Sequence, residues 1–345
     1  MPRVRAAIAT LLAAALASLG AGCARAERSF PVPAAAGESA LHRFVGTAMG
    51  CPVEITIDSD DADGARSAAR LAQLELDRID SLLSDWKRGS DLSRLNDARG
   101  PRVEVAPELR EVLAESLRIA AATDGRFDPT VGAAVALWRA SRQSGALPAA
   151  AALAEALART GAGKVVIDGD AVIRPEGLRI DFGGIGKGYG TIRALAILRE
   201  SGFPRALVAV AGDIAAGEPP RGRAGWRIEI APEREGAPAE SLEVSRAAVS
   251  TSGGSAQWVE IAGARYAHIV DPRTALGATT LAQATVIGPL APSVDALGTA
   301  LALTKDDGEA ASILARFPGH RARIERAGKT AWLGDAHPAR AAVRP

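Results

Sequence analysis

The sequence predicts an α+β fold of mainly antiparallel sheets with packed helices, because helical patterns gather in its first half and strand patterns in its second. Apolar residues recur every three to four positions through much of residues 61–160, whereas short apolar or alternating runs prevail from residue 164 onward. A strictly alternating α/β fold would interleave the two patterns along the whole chain. With 345 residues and 48% hydrophobic content, the chain can bury the core of one large domain or of two closely packed ones.

The first half begins with two strand patterns and continues with four helices. Val53, Ile55 and Ile57 alternate along one face of the second strand, and Pro107 suits the first turn of a helix, where no N–H partner is required. The predicted strands are residues 44–47 and 53–57, and the predicted helices are residues 61–83, 108–123, 132–141 and 149–160. The first of these helices is amphipathic, with an apolar set formed by Leu71, Leu74, Ile79, Leu82 and Leu83.

Strand patterns dominate the second half. The turn residues Asp168, Gly169 and Asp170 join two of them, and a glycine-rich turn after a third leads into a helix. The predicted strands are residues 164–167, 171–174, 178–181, 206–211, 226–230, 248–250, 257–261, 265–269 and 283–287, and the predicted helices are residues 186–201, one beginning at residue 292, and residues 308–316.

The charge pattern argues against a nucleic-acid partner. Lys and Arg together number 41 against 40 for Asp and Glu, and no basic run is interleaved with aromatic residues. The balance of charge does not favour any other class of partner.

The N-terminus is typical of an exported bacterial protein. Arg3 and Arg5 precede an uncharged Ala/Leu-rich run at residues 6–21, which is short for a membrane span and matches a secretory signal. The following LGAGC resembles a lipobox whose Cys23 becomes the lipidated first residue, while an A-x-A site at residues 24–26 is the alternative cut. We therefore expect a lipoprotein on the periplasmic face of a bacterial membrane, or a soluble periplasmic protein.

The sequence divides into four segments without an internal repeat. Only two cysteines are present, and lipidation or removal of Cys23 leaves Cys51 alone, so no disulfide framework is expected. The segments are a signal peptide with a lipobox at residues 1–23, a flexible tether at 24–41, one domain at 42–335 and a C-terminal tail at 336–345.

The segment IDFGGIGKGYG, residues 180–190, is a candidate anion-binding turn. Asp181 ends a strand pattern, and the glycines after it allow backbone N–H groups at a helix N-terminus to approach an anion. Lys187 adds a positive charge at the same end. The alternative is a tight strand-to-helix connection with glycines for packing, because the segment is neither a Walker A loop nor G-x-G-x-x-G.

Two further clusters concentrate polar groups. TSGGS, residues 251–255, offers small hydroxyls and closely approachable backbone, and YAHIVDPRT, residues 266–274, places His268, Asp271 and Arg273 together. A turn in which Asp271 bonds its own backbone and a core histidine at position 268 are the competing interpretations.

Asp295 and Thr299 lie four residues apart in the apolar stretch PSVDALGTAL, residues 292–301. On a helix this spacing brings their oxygens to one face, where they suit Mg²⁺ together with waters and phosphates. The alternative is that Asp295 caps its own helix and that the Thr299 hydroxyl bonds back to the Asp295 carbonyl.

In this order, the motifs resemble the FAD:protein FMN transferase family, also called ApbE, over residues 44–335. A single motif has little specificity, whereas eight in family order are highly specific. They are GTAMG (46–50), LSDWKRGSDLSRLN (83–96), DGRFDPTVG (124–132), DFGGIGKGY (181–189), AGDI (211–214), TSGG (251–254), HIVDPRT (268–274) and VDALGTAL (294–301).

The resemblance implies a T-fold-related architecture and an enzyme that cleaves FAD with Mg²⁺ at its pyrophosphate. It further implies transfer of FMN through a phosphoester to a Thr or Ser of an acceptor protein, with release of AMP. The implied metal ligands are Asp295, Thr299 and a backbone carbonyl near Gly184, and the implied catalytic residues are His268 as base, Asp181 and Lys187. The implied flavin-nucleotide contacts are Met49, Trp86, Arg126, Phe127, Asp128, Asp181, Lys187, Thr251, Ser252, Gly253, His268 and Asp271.

Three positions depart from the family pattern. Ala275 and Ala211 each replace a usual glycine, and Trp86 stands in place of a usual tyrosine. Ala275 is expected to shift the loop that carries Asp271. None of these changes removes an implied metal ligand or the histidine, so activity is expected. The alternatives are a Mg²⁺-dependent FAD pyrophosphatase, with water as acceptor, and a non-catalytic FAD-binding lipoprotein.

Overall fold

A computed structural model of the chain describes residues 40–231, 240–254 and 257–334. Over these residues the fold is α+β with antiparallel sheets, as the sequence predicts. The predicted signal segment, all but the last two residues of the predicted tether, and the predicted tail lie outside the described residues.

Seventeen strands are described. They are β1 (Leu41–Ala48), β2 (Cys51–Asp58), β3 (Arg102–Glu104), β4 (Val166–Asp168), β5 (Ala171–Ile173), β6 (Ala206–Val210), β7 (Asp213–Ala216), β8 (Trp226–Ile230), β9 (Glu240–Val244), β10 (Ala247–Ser252), β11 (Trp258–Ile261), β12 (Ala264–Ala267), β13 (Val270–Asp271), β14 (Leu276–Gly277), β15 (Gln283–Gly288), β16 (Arg321–Arg326) and β17 (Lys329–Gly334). Eight of them form the central sheet in the order β1-β2-β6-β7-β10-β15-β16-β17, and each neighbouring pair is antiparallel.

The described residues also form eight α-helices, and Ala162–Lys164 forms a 3₁₀ turn. The helices are α1 (Ala62–Leu83), α2 (Asp91–Asp97), α3 (Pro107–Ala122), α4 (Gly132–Ser144), α5 (Ala150–Arg159), α6 (Gly186–Glu200), α7 (Ser293–Ala302) and α8 (Asp307–Leu314).

Helices α1 and α6 pack together against β2 and β6. The predicted apolar set of α1 is wrong in part, because Leu71 and Leu74 are 51% and 56% exposed. Small side chains face the sheet instead, which allows the two helices to approach each other and the strands closely. The buried positions at helical spacing are Ala65, Ala68, Ala69, Ala72, Leu76 and Ile79.

Helix α7 is buried almost all round in the largest core cluster. That cluster also holds apolar residues of α2, α3, α8 and the middle of the central sheet. A smaller cluster joins α4 and α5 to the β11–β14 hairpins through Trp138, Ile261 and Ala275. A helix surrounded by apolar neighbours has few places for charge, so the polar side chains of α7 require partners or a ligand.

Several predicted element boundaries are wrong. Residues 178–181 form no strand and make only an isolated bridge between Val131 and Arg179. Residues 164–165 belong to the 3₁₀ turn and its end, so β4 begins at Val166. The sequence patterns also missed α2 and the strands β3, β7, β9, β13, β14, β16 and β17.

Both alanines that replace family glycines adopt left-handed backbone conformations. The φ angle is 51° at Ala211 and 58° at Ala275, a region that suits glycine. The Ala275 N–H donates to the Asp271 carbonyl at 3.0 Å, so the turn closes with alanine in the glycine position.

Ala211→Gly is expected to raise the free energy of unfolding by about 0.5–1 kcal/mol. Relief of the left-handed strain, about 1–2 kcal/mol, exceeds the extra unfolded-state entropy of glycine. Ala275→Gly is expected to be near neutral, because it also removes a fully buried methyl worth about 0.8 kcal/mol. Urea unfolding measures both. The matched control is Ala209→Gly in β6, where φ is ordinary and stability should fall; a loss of similar size at Ala211 would contradict the prediction.

No helix in the described part of the chain combines the length and apolar character needed to cross a bilayer.

Candidate active site

Asp295 in the first turn of α7 meets the N-terminus of α6. Its Oδ2 accepts a hydrogen bond of 2.9 Å from the backbone N–H of Gly188, and its side chain is almost fully buried. A Cβ at position 188 would lie 2.6 Å from the Asp295 Cβ, so only glycine permits this approach. The glycines of this motif therefore bring a carboxylate onto the helix N-terminus, where its charge is favoured.

Both alternative roles considered for Asp295 and Thr299 are excluded by these contacts. Asp295 caps α6 and not its own helix, whose N-cap residue Pro292 has no side-chain hydrogen bond. The Thr299 hydroxyl makes no hydrogen bond back to the Asp295 carbonyl. It would lie 3.1 Å from a Cβ at Gly184, so it faces the glycine-rich turn.

Lys187 joins two carboxylates at this point. Its Nζ lies 2.9 Å from Oδ2 of Asp213 and 3.8 Å from Oδ2 of Asp295, and the Ser250 hydroxyl donates to Oδ1 of Asp213 at 2.6 Å. Burial alone would lower the pKa of Lys187, but the two carboxylates raise it above its ordinary value, so the ammonium stays charged. Burial and the nearby Asp213 charge raise the pKa of Asp295 well above that of an ordinary aspartate.

Asp181 lies on the same turn and faces α4. Its Oδ1 accepts from the Gly183 N–H at 2.8 Å, and its Oδ2 lies 3.4 Å from the Arg139 guanidinium, which also pairs with Asp85. Burial, together with the Asp85 charge, raises the pKa of Asp181 against the opposing effect of Arg139. Asp181 and Arg139 therefore form the α4 side of the site.

His268 follows β12 and is bonded to the backbone of Gln257. Its Nδ1 lies 3.4 Å from the Gln257 carbonyl oxygen, which can only accept, so Nδ1 carries the proton and Nε2 holds a lone pair. Burial above all, together with the charges of Arg142 and Lys187, lowers the pKa of His268 to about 4 against the opposing effect of the Gln257 carbonyl. The imidazole is therefore neutral and available as a base at neutral pH.

Three predicted nucleotide contacts have partners within the protein. Arg126 pairs with Glu309 and donates to the Leu303 carbonyl at 2.8 Å; Asp128 accepts from Thr130 and from the Ala162 N–H; Asp271 holds the Arg273 guanidinium at 2.6 Å. These side chains stabilise the loops around the site, and their predicted contact with FAD stays a prediction.

The other predicted contacts are spread over several elements and range from buried Phe127 to exposed Trp86. The Phe127 ring lies beside Gly184, the Met49 thioether methyl would lie 2.7 Å from a Cβ at Gly190, and Trp86 is 57% exposed next to Asp85. In β10, the Thr251 hydroxyl bonds Thr285 at 2.9 Å. Ser252 lies close to Gly298 on α7, and Gly253 lies against Gln283.

Sequence reasoning missed three polar residues of this site. Asp213 stands in the AGDI motif but received no role, although a carboxylate directly after a strand and a glycine was a usable signal. Ser250 precedes TSGG, and Arg139 follows DGRFDPTVG by seven positions; neither carries a local signal, because only the fold brings them to Asp213 and Asp181.

The donor set fits a hard cation. Asp295 supplies a carboxylate at the Gly188 N–H, and Thr299 supplies a hydroxyl that faces the Gly184 backbone. Among the described residues, no group of three or more His, Cys, Asp or Glu side chains is placed to hold a metal ion. A site with so few protein ligands suits Mg²⁺, which keeps waters and binds substrate phosphates.

Solved structures share this fold. An ApbE protein of Thermotoga maritima superposes with a TM-score of 0.78 and 29% identity, covering 86% of this chain and 97% of that one. The flavin transferase ApbE of Vibrio cholerae superposes with a TM-score of 0.77 and 22% identity, over 87% and 98% of the two chains, and this match supports the fold alone. Together with the sequence relatives that follow, this fold identifies an enzyme of the flavin transferase class.

Relatives by sequence agree with this class. The FAD:protein FMN transferase of Escherichia coli K12 is 30% identical over 84% of either chain, and that of Klebsiella pneumoniae is 32% identical over 74% of this chain and 76% of its own. The ApbE family model matches residues 49–324. The chain belongs to the ApbE family.

Proposed function

We propose that this enzyme is a Mg²⁺-dependent FAD:protein FMN transferase that links FMN through a phosphoester to a Thr or Ser of an acceptor protein and releases AMP. The observation that carries the proposal is the buried cluster in which the Lys187 ammonium contacts the carboxylates of Asp295 and Asp213 at the N-terminus of α6. A helix N-terminus, an ammonium and oxygen ligands for a cation together suit a pyrophosphate.

Asp295, Thr299 and the backbone at Gly184 would hold the metal ion. Mg²⁺ bound there would neutralise the pyrophosphate charge and favour departure of the AMP phosphate. The chain itself binds and orients the nucleotide, through the N–H groups of the glycine-rich turn and the Lys187 ammonium. Asp213 and Ser250 fix that ammonium in place.

His268 would act as the general base. Its neutral Nε2 takes the proton of the acceptor hydroxyl while the hydroxyl oxygen bonds to the phosphorus on the FMN side. The bond from that phosphorus to the bridging oxygen breaks, and AMP leaves with the oxygen. The products are the FMN phosphoester of the acceptor, AMP and one proton held on the imidazole.

Incubation of the enzyme with FAD, Mg²⁺ and a candidate acceptor domain tests the proposal. The expected result is a mass increase of one FMN on the acceptor and one AMP released per transfer. Free FMN with AMP and no modified acceptor would identify a pyrophosphatase instead. Bound FAD that remains intact would identify a non-catalytic binder.

Asp213→Asn is expected to raise the half-saturating Mg²⁺ concentration about tenfold. Without the Asp213 charge, Lys187 keeps Asp295 as its only carboxylate partner and competes with the cation for it. Mg²⁺ titration of transfer measures the change. Ser250→Ala, which removes a hydrogen bond to Asp213 but no charge, serves as the control and should shift the titration much less; equal shifts would contradict the mechanism.

We further propose that the enzyme is exported and anchored to a bacterial membrane through lipidated Cys23, and that its acceptor is a membrane redox protein. The signal-like N-terminus and the LGAGC sequence support this location. Mass spectrometry of the mature N-terminus tests it: a diacylglyceryl group on Cys23 is expected, and an unmodified N-terminus after Ala26 would overturn it.

A further inference from the structure

The cations around the candidate site are neutralised by carboxylates, with Arg142 as an exception. The paired cations are Lys187 with Asp213 and Asp295, Arg139 with Asp85 and Asp181, Arg126 with Glu309, and Arg273 with Asp271. The Arg142 guanidinium has neither a carboxylate nor a hydrogen-bond partner among the residues that the structure describes.

Helix α4 places Arg142 beside the site. Trp138, one turn earlier on the same helix face, donates from Nε1 to the carbonyl of Ala267 at 3.0 Å, and Ala267 directly precedes His268. Arg139, three residues before Arg142, reaches Asp181. The last turns of α4 therefore run along the margin between Asp181 and His268.

The charge of Arg142 is unfavourable in the structure as it stands. The side chain is half-buried, and burial together with the neighbouring Arg139 charge lowers the pKa of Arg142. An arginine keeps its proton all the same, so the cost of this position is not relieved by ionisation. A structural arginine has a carboxylate or carbonyl partner, as Arg174 has with the carbonyls of Leu95 and Ala98. Within the described ranges, the Arg142 guanidinium has no such partner.

The same charge acts on the candidate base. After burial and the Gln257 carbonyl, Arg142 and Lys187 are the groups whose charges affect the pKa of His268. The imidazole therefore lies within the fields of both cations. If His268 deprotonates the acceptor hydroxyl, the base, the hydroxyl and the phosphorus are in contact during transfer. The phosphorus therefore also lies within the fields of both cations.

We propose that Arg142 binds a phosphate oxygen of the FAD pyrophosphate on the His268 side of the site. The proposal rests on the proposed function. A guanidinium suits this task because its planar N–H groups match two phosphate oxygens, and none of these groups is bonded to a described residue. Arg142 lies outside all eight family motifs, so the resemblance assigned it no role.

FAD titrations without Mg²⁺ or acceptor test the proposal. Arg142→Gln is expected to weaken FAD binding about 10- to 100-fold, in line with the loss of a charge-assisted hydrogen bond. Arg142→Lys, which keeps the charge but loses the planar fork, should fall between the parent and the Gln variant. Arg159→Gln in α5, which removes an exposed i,i+4 ion pair with Glu155, is the matched control and should bind FAD as the parent does.

Thermal unfolding distinguishes ligand binding from a structural role. Because the Arg142 guanidinium has no partner in the described part of the chain, Arg142→Gln should unfold at the parent's temperature or above it without FAD, and its unfolding temperature should rise less when FAD is added. A lowered unfolding temperature without FAD, combined with a parental FAD affinity, would overturn the proposal.

The two proposals fail in different ways. A parent chain that binds FAD with help from Arg142 but modifies no acceptor would disprove transfer and leave the Arg142 contact intact. An unchanged FAD affinity in Arg142→Gln would overturn the contact, and a raised acceptor KM in the same variant would assign Arg142 to the acceptor instead.

Discussion

Asp295→Asn is expected to lower kcat/KM for FMN transfer about a thousandfold and to abolish its dependence on Mg²⁺. The amide keeps an oxygen that can accept from the Gly188 N–H, so the contact between α6 and α7 survives. The negative charge that would attract the cation is lost, and stabilisation of developing phosphate charge by one such group is worth about 10²–10³-fold in rate. Transfer rates over a range of Mg²⁺ concentrations measure the effect.

The fold of this variant should be preserved. The buried Asp295 carboxylate lies near that of Asp213, and removal of one of two like charges does not destabilise the pair. Circular dichroism and thermal unfolding check this point. Asp97→Asn, at an exposed carboxylate paired with Arg179, serves as the matched control and should retain parental activity. Turnover and Mg²⁺ dependence that both survive in Asp295→Asn would disprove the metal site.

His268→Gln is expected to reduce transfer about 10²- to 10⁴-fold while FAD binding changes little. The range is that of general-base catalysis, and a glutamine occupies similar space without a basic nitrogen. FAD affinity and transfer rate are measured separately on the same variant. A variant that loses FAD affinity in proportion to its rate would instead assign His268 to nucleotide binding.

The pH profile gives an independent check on His268. Because burial lowers its pKa to about 4, the neutral base predominates above that pH, and the acid limb of the transfer rate due to His268 is expected near pH 4. A limb near pH 6.5, absent from the Gln variant, would contradict the buried, neutral state.

The lowered pKa of His268 also makes the free energy of unfolding depend on pH. Between about pH 6.5 and pH 4 the unfolded chain binds a proton at this histidine and the folded chain does not. The contribution of His268 to stability is therefore present above pH 6.5 and is lost as the pH falls towards 4. Denaturant unfolding of the parent and the Gln variant at pH 7 and pH 5 separates this contribution from those of other groups.

The sequence predicted the elements that have strong local patterns. Helix α6 after its glycine turn, α3 after Pro107 and the apolar strands β2, β6, β8 and β15 follow from periodicity and turn residues. The short strands β3, β13 and β14 could not be predicted this way, because two or three residues carry no periodicity and pair only through tertiary contacts.

Site residues that belong to a sequence motif could be predicted, whereas residues that only the fold brings to the site could not. Asp295, Lys187 and His268 stood in recognisable motifs. Arg139 and Arg142 lie on an ordinary helix, and their position near Asp181 and His268 depends on how Trp138 packs against the β11–β14 hairpins. In α1, the predicted Ile79, Leu82 and Leu83 are buried, whereas Leu71 and Leu74 are exposed because close packing against α6 and the sheet uses alanines.

The Gly188–Asp295 contact also determines when the candidate site can form during folding. The two residues are 107 positions apart, and each belongs to a helix whose own residues cannot complete the site. An N-terminal fragment that ends before α7 would contain the glycine-rich turn and its lysine but not the carboxylate of Asp295. Until α7 has docked, the growing chain therefore lacks the carboxylate that the proposed cation site requires, so the candidate site is complete only in the finished fold.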